Sequence, residues 1–129
     1  MPWCLDSWAV LRWLEGVEPA ASRVDALLAQ RAAAPVMSWV NLGEVFYVTM
    51  RASGRAAADD VVGDLRRLVR LDDASGRRVL EAAAIKATYP MAYADAFAVA
   101  TALAHGATLV TGDPEILRPG APWKTEDLG

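Results

Sequence analysis

Four acidic residues stand where apolar segments of this chain end or turn into helices: Asp6, Glu44, Asp95 and Asp113. Asp6 closes the apolar run Trp3-Cys4-Leu5, and Asp113 follows the run Ala107-Thr108-Leu109-Val110-Thr111. Glu44 lies between Leu42 and Phe46 in a mostly apolar, helix-like stretch, and Asp95 opens an alanine-rich one. Carboxylates at the carboxyl ends of strands and in the first turns of helices share a crevice, the place where open α/β sheets bind ligands. Converging carboxylates are hard oxygen donors of the kind that suits Mg²⁺ or Mn²⁺. A divalent ion held there lowers the pKa of a bound water and neutralises developing charge, the parts of metal-assisted hydrolysis.

Each acid also has a plain explanation when taken singly. Asp6 and Asp95 suit helix starts, where a negative charge gains under about 1 kcal/mol from the helix dipole. Asp113, in Thr-Gly-Asp-Pro-Glu, suits a turn. Glu44 resists such an account, because burying an unpaired carboxylate inside a helix costs several kcal/mol. All four at strand ends and helix starts point to one site.

The elements that must position them follow from periodicity and punctuation. Residues 2–6 read as a short strand buried on both faces. Ser7 reads as the N-cap of a helix running through Glu15 and ended by Gly16. Residues 20–33 carry Val24, Leu27 and Leu28 at helical spacing. Pro35-Val36-Met37 reads as a second strand, and Ser38 as the cap of a helix reaching about Ser53 and ending near Gly54. On that helix Asn41, Glu44, Val48 and Arg51 fall on one stripe. Ala56 to about Arg67 is a polar-faced helix, Leu68-Val69-Arg70-Leu71 a third strand, and Asp73 to about Thr88 a helix stopped by Pro90. Residues 94–105 form a helix closed by His105-Gly106. Thr108–Thr111 is the clearest buried strand, and Trp123–Thr125 a weak last one. Strands alternating with helices predict a three-layer α/β fold: a central parallel sheet of four or five strands, flanked by helices, with right-handed connections.

The totals set bounds on this reading. At 129 residues, with no internal repeat or linker, residues 1–129 read as a single domain. No apolar run approaches the roughly 18 residues a membrane span needs. Nothing reads as a secretion signal, which leaves the cytoplasm as the expected location. The lone cysteine, Cys4, suits a small core position. The net charge of −3 argues against nucleic acid, but without the four acids 12 acidic residues face 13 basic ones, a balance of +1. His105 is the only histidine and is best explained as a helix-end residue, so zinc and Cys/His chemistry have no ligands to work with. No G-x-G-x-x-G follows a strand, which sets aside a dinucleotide enzyme. A receiver domain needs its acidic pair after the first strand, whereas Asp72-Asp73 follows the third, and no lysine follows Thr111 closely.

The stretch YADAFAVATALAHGATLVTGDPEIL, residues 93–117, resembles the C-terminal signature of PIN-domain proteins. It is most similar to the VapC branch, the toxins of bacterial toxin–antitoxin pairs. Leu5-Asp6-Ser7-Trp8-Ala9-Val10-Leu11 and Asn41-Leu42-Gly43-Glu44-Val45 are similar to the family's other two motifs in order and spacing, so the resemblance spans the whole chain. It implies a PIN-like fold and a metal-dependent endoribonuclease using Mg²⁺ or Mn²⁺, with Asp6, Glu44, Asp95 and Asp113 as catalytic residues and metal ligands. It further implies an RNA substrate, a homodimer, and a cognate antitoxin whose C-terminal segment occupies the groove. Asp6 and Asp95 are expected to ligate the principal ion, and Glu44 and Asp113 to complete the shell directly or through water. Glu115 sits where some relatives carry a further acid.

Asn41 and Thr111 are candidates for orienting the carboxylates. Arg51, on the Glu44 stripe, either contacts an RNA phosphate or balances charge, and Arg55, Arg66, Arg67, Arg70, Arg77, Arg78 and Lys86 either contact RNA phosphates or cover solvated faces. Tyr93 either stacks on a base or packs. Trp8 departs from the family pattern, being bulky beside a position commonly small; it narrows the site entrance or fills the core. The competing function is a non-catalytic PIN module that binds RNA or a partner protein.

Overall fold

The computed structural model describes residues 2–129. Five parallel strands, β1 (Trp3–Leu5), β2 (Val36–Ser38), β3 (Arg70–Asp72), β4 (Thr108–Thr111) and β5 (Thr125–Asp127), form one sheet in the order β3-β2-β1-β4-β5. Among the described residues six α-helices accompany the sheet: α1 (Ser7–Glu15), α2 (Ala20–Leu28), α3 (Trp39–Ser53), α4 (Arg55–Leu68), α5 (Gly76–Thr88) and α6 (Tyr93–Ala104). The side-chain alternation of the strands builds the layers. Cys4, Val36 and Leu109 join the cluster formed with Ala82 of α5 and the buried run Ala96–Ala102 of α6. Leu5, Met37 and Val110 join Val10, Val24, Leu27, Leu42, Val45 and Leu65 from α1 to α4. All six strand residues are no more than 4% exposed, as a parallel sheet covered on both faces requires.

Several boundaries differ from the sequence expectation, each for a local reason. The N-cap of α1 is Asp6, not Ser7: its Oδ1 accepts from the Ala9 amide at 2.8 Å. β1 accordingly ends at Leu5. The second helix stops at Leu28 because its apolar periodicity stops there; Arg31–Ala33 form a separate, exposed 3₁₀ turn. β2 extends to Ser38, whose hydroxyl still caps the next helix by accepting from the Val40 amide at 3.1 Å. Leu68 remains in α4 and the Val69 amide donates to Leu65, so β3 starts only at Arg70. Ser75 caps α5, which therefore begins at Gly76 rather than Asp73. The last strand starts at Thr125, because Trp123 turns into the core, donating Nε1–H to the Ile116 carbonyl at 3.0 Å and meeting Tyr89 edge-on.

The strand order fixes where a site can form. From β1 the chain steps outward to β2 and β3, then returns to β4 on the other side of β1. The carboxyl ends of β1 and β4 therefore flank a topological switch point, where the loops diverge and leave a crevice.

At the end of β3, Asp72 ties three elements together. Its carboxylate accepts from Arg78 of α5 at 3.1 Å, lies 2.8 Å from Nε2 of His105 at the end of α6, and takes the Ala74 amide at 3.1 Å. Burial alone raises the pKa of Asp72, but the bonds from Arg78, His105 and the Ala74 amide outweigh it and bring the value down to about 2. A depressed carboxyl pKa contributes stability that is present above the ordinary value and lost as pH falls toward the folded one. The contribution is roughly 2 kcal/mol. Urea unfolding should show stability falling between about pH 4 and pH 2, and Asp72→Asn should lower the midpoint at pH 6 and flatten that acid limb.

Candidate active site

Asp6, directly after β1, is 1% exposed. The register pairs Leu5 with Val110, which brings the residue after β1 beside the last residue of β4. The Thr111 hydroxyl donates to Asp6 Oδ2 and accepts from the Asp113 amide at 3.0 Å. One threonine thus links two of the predicted acids. Asp113 closes its own turn: its Oδ1 accepts from the Glu115 amide at 2.9 Å, and its carbonyl accepts from Ile116 and Leu117.

The other acids arrive on helices. Glu44 lies in the second turn of α3, and the buried hydroxyl of Ser7 donates to its Oε1. Asp95 lies in the first turn of α6. Asn41, one turn before Glu44 on α3 and fully buried, donates from Nδ2 to the Ala94 carbonyl at 3.0 Å, so α3 and the start of α6 are fastened next to both acids. Asn41 Oδ1 is buried and has no hydrogen-bond partner among the described residues. Carboxylate oxygens of Asp95, Asp113 and Glu115 lie within 4.8 Å of one another, a spacing that can hold a cation.

The electrostatics follow from that crowding. Burial pushes the Asp6 carboxyl up to about 7; the bonds from Thr111 and Ala9 oppose the rise, and the charges of Asp113 and Glu44 add to it. Asp95 is raised as well, first by burial and then by the charge of Asp113, with Asp6 and Glu44 contributing. Among the described residues, none of Asp6, Glu44, Asp95, Asp113 and Glu115 pairs with a lysine, arginine or histidine. Buried or half-buried like charges without a partner are repulsive, and a divalent cation is the simplest group that relieves them.

A family model of the PIN domain matches residues 3–121. The chain belongs to the PIN domain family. Solved structures with the same fold include the DNA-bound VapBC of Salmonella typhimurium, 18% identical, covering 100% of this chain and 99% of that one, with a TM-score of 0.75. VapBC2 of Rickettsia felis, bound to a DNA fragment from its promoter, is 14% identical over 98% of each chain, with a TM-score of 0.74. VapC20 of Mycobacterium tuberculosis, a Sarcin-Ricin loop cleaving toxin, is 17% identical over 90% of this chain and 93% of that one, with a TM-score of 0.73. No curated protein matches the sequence.

In this PIN domain the remaining sequence candidates take varied places. Tyr93 is 43% exposed and packs at a tilt on Phe97, 5.2 Å between ring centres. Arg51 lies over the Tyr47 ring. Arg55, Arg67 and Arg78 pair with Asp59, Asp64 and Asp72, as residues of solvated faces or ion pairs do. Trp3, Trp8, Trp13 and Trp39 are partly buried against the second core cluster. Sequence reasoning missed the role of Ser7, read as a cap when it holds Glu44. The signal was there: a hydroxyl residue directly after an acid that itself caps the helix is free to point elsewhere.

The raised pKa of Asp6 gives a signed prediction. The folded state keeps a proton that the unfolded chain releases near the ordinary value of 3.8, so the metal-free protein loses stability as pH rises from about 4 toward 7. Thermal unfolding in the presence of a chelator should show a lower midpoint at pH 8 than at pH 5. Asp6→Asn, which keeps a side-chain acceptor for the Ala9 amide but carries no charge, should lose less over the same range.

Proposed function

We propose that this PIN domain is a metal-dependent endoribonuclease, the toxin of a type II toxin–antitoxin pair, cleaving RNA with Mg²⁺ or Mn²⁺. The observation that carries the proposal is the unpaired set of carboxylates gathered at one switch point, with three of them close enough to share an ion. The donors are all hard oxygens, which favours Mg²⁺ or Mn²⁺ over softer metals. Asp6, Glu44, Asp95 and Asp113 would hold the ion, and Glu115 belongs to the same set through its closeness to Asp95 and Asp113. A bound ion supplies a lowered water pKa and a counter-charge for the phosphodiester.

The chain's own residues do the rest. Thr111 and the Ala9 amide keep Asp6 in one orientation, Ser7 does the same for Glu44, and Asn41 anchors the turn that carries Asp95. Such supports are worth about 10–100-fold in metal affinity or activity.

The same reading includes a cognate antitoxin and a homodimer. An open apolar groove of about 400 Å³ lies between α1, α3 and α4, lined by Leu11, Leu14, Val48, Ala52 and Val61, with Arg12 and Glu15 at its edge. Its size and lining suit an amphipathic segment of a partner protein. None of the predicted acids lines it, so substrate crevice and groove are separate surfaces.

Incubating the purified protein with total cellular RNA should give cleavage that requires Mg²⁺ or Mn²⁺ and stops on chelation. Asp6→Asn and Asp95→Asn should each reduce cleavage to background with the far-UV circular dichroism unchanged, and Thr111→Val should reduce it about 10–100-fold. Full activity in either Asn variant rejects the site. No metal-dependent cutting by the unmodified protein rejects the enzyme and leaves a PIN module that only binds RNA or a partner.

A further inference from the structure

The segment Thr111-Gly112-Asp113 is held from both sides. On one side the indole of Trp8, in the first turns of α1, lies against Gly112 so closely that a Cβ there would stand 2.2 Å from the indole Cη2 and 2.3 Å from Cζ2. On the other side the last residue, Gly129, approaches: a Cβ built on it would lie 3.9 Å from the Gly112 Cα and carbonyl oxygen. The Leu128 amide donates to the Thr111 carbonyl at 2.9 Å, which extends the β4–β5 pairing to this point. Trp8 is itself fixed, packed against the second core cluster with the Arg12 guanidinium 4.8 Å from its ring centre.

Gly112 does not have a left-handed backbone, so conformational need does not account for glycine at this position. Close approach does. Any side chain at 112 must displace either the indole or the turn by most of an ångström, because real Cβ atoms essentially never come within 3.0 Å of a neighbour. The indole is partly buried against the second core cluster, which restricts its movement. The turn would give way, and it carries Asp113 and Glu115 on one side and the hydroxyl that orients Asp6 on the other.

We infer that Trp8 is a positioning residue for the metal site, acting through its interlock with Gly112 to set the Asp113 turn against Asp6. The inference rests on the metal-site reading above. Metal sites lose affinity when their ligands are held about 1 Å too loosely, so the contact governs ion binding and not stability alone. Of the two accounts open to a bulky residue here, filling the core and narrowing the entrance, the structure shows a third use: a wedge under the turn that carries ligands.

The test is a cycle of Gly112→Ala, Trp8→Phe and the double variant, in which the shorter phenyl ring withdraws the outer indole carbons from the space a methyl group needs. Two readouts are taken: Mn²⁺ affinity by calorimetry, and amide hydrogen exchange at Asp113 and Leu128 in the metal-free protein. Gly112→Ala should weaken Mn²⁺ binding about tenfold or more and speed exchange at both amides by a similar factor. The double variant should recover to within about threefold of Trp8→Phe in both. If Gly112→Ala does not fold, a folded and Mn²⁺-binding double variant establishes the same interlock. Wild-type affinity in Gly112→Ala overturns the inference, as does a double variant no better than Gly112→Ala. If the unmodified protein binds no Mn²⁺, the metal reading fails by itself, while the exchange cycle still decides whether Trp8 sets the turn.

Discussion

Both oxygens of Asp6 are engaged inside the fold, and the rest of the site takes its place from them. Oδ1 closes the first turn of α1 through the Ala9 amide, and Oδ2 takes the hydroxyl of Thr111 at the end of β4. That second bond exists only because β1 and β4 are parallel neighbours in a register that sets Leu5 opposite Val110. The same hydroxyl accepts the Asp113 amide, so a single threonine transmits the position of β1 to the turn that carries the next acid. Removing Asp6 from water favours the neutral acid, and the two bonds offset that only in part, so the carboxyl stays raised to about 7. A helix cap, a strand pairing and a cluster of acids are thus one arrangement.

The parts of this arrangement that the sequence made legible are those with a period or a motif. The doubly buried strands showed as short apolar runs, and Gly16, Ser38 and Gly54 marked the helix ends where the structure has them. The acids were visible because they interrupt apolar segments. What was hidden depends on distance in sequence. Ser7 and Glu44 are 37 residues apart and Thr111 and Asp6 are 105 apart, and no local propensity encodes such pairs. His105 looked like a helix terminus and is one, but its partner Asp72 comes from the edge strand β3, 33 residues earlier. Gly112 looked like a turn glycine, when its reason is the indole above it. The misplaced boundaries at β3 and β5 share a cause: Leu68 and Trp123 are apolar enough to read as strand, and their burial is instead completed by a helix and by a core contact.

Two aspartates in equivalent positions show what separates an acid with a counter-charge from one without. Asp72 ends β3 as Asp6 follows β1, and both lose solvent on folding. Asp72 meets Arg78 and His105, and its pKa falls to about 2; Asp6 meets a hydroxyl and an amide amid other carboxylates, and its pKa rises to about 7. The difference is the counter-charge, which the fold supplies in one place and withholds in the other. The chain does not lack cations: Arg23, Arg55, Arg67 and Arg78 all find carboxylates, but on helix faces and sheet edges away from the switch point. A protein selected for stability alone would bring one such arginine to the crevice, since an unpaired buried charge is among the most destabilising features a fold can carry. Leaving the carboxylates unpaired lowers the stability of the metal-free protein and keeps the crevice open to a divalent ion. The balance between those two effects, set at Asp6 by a threonine and an amide, is where fold and proposed chemistry meet.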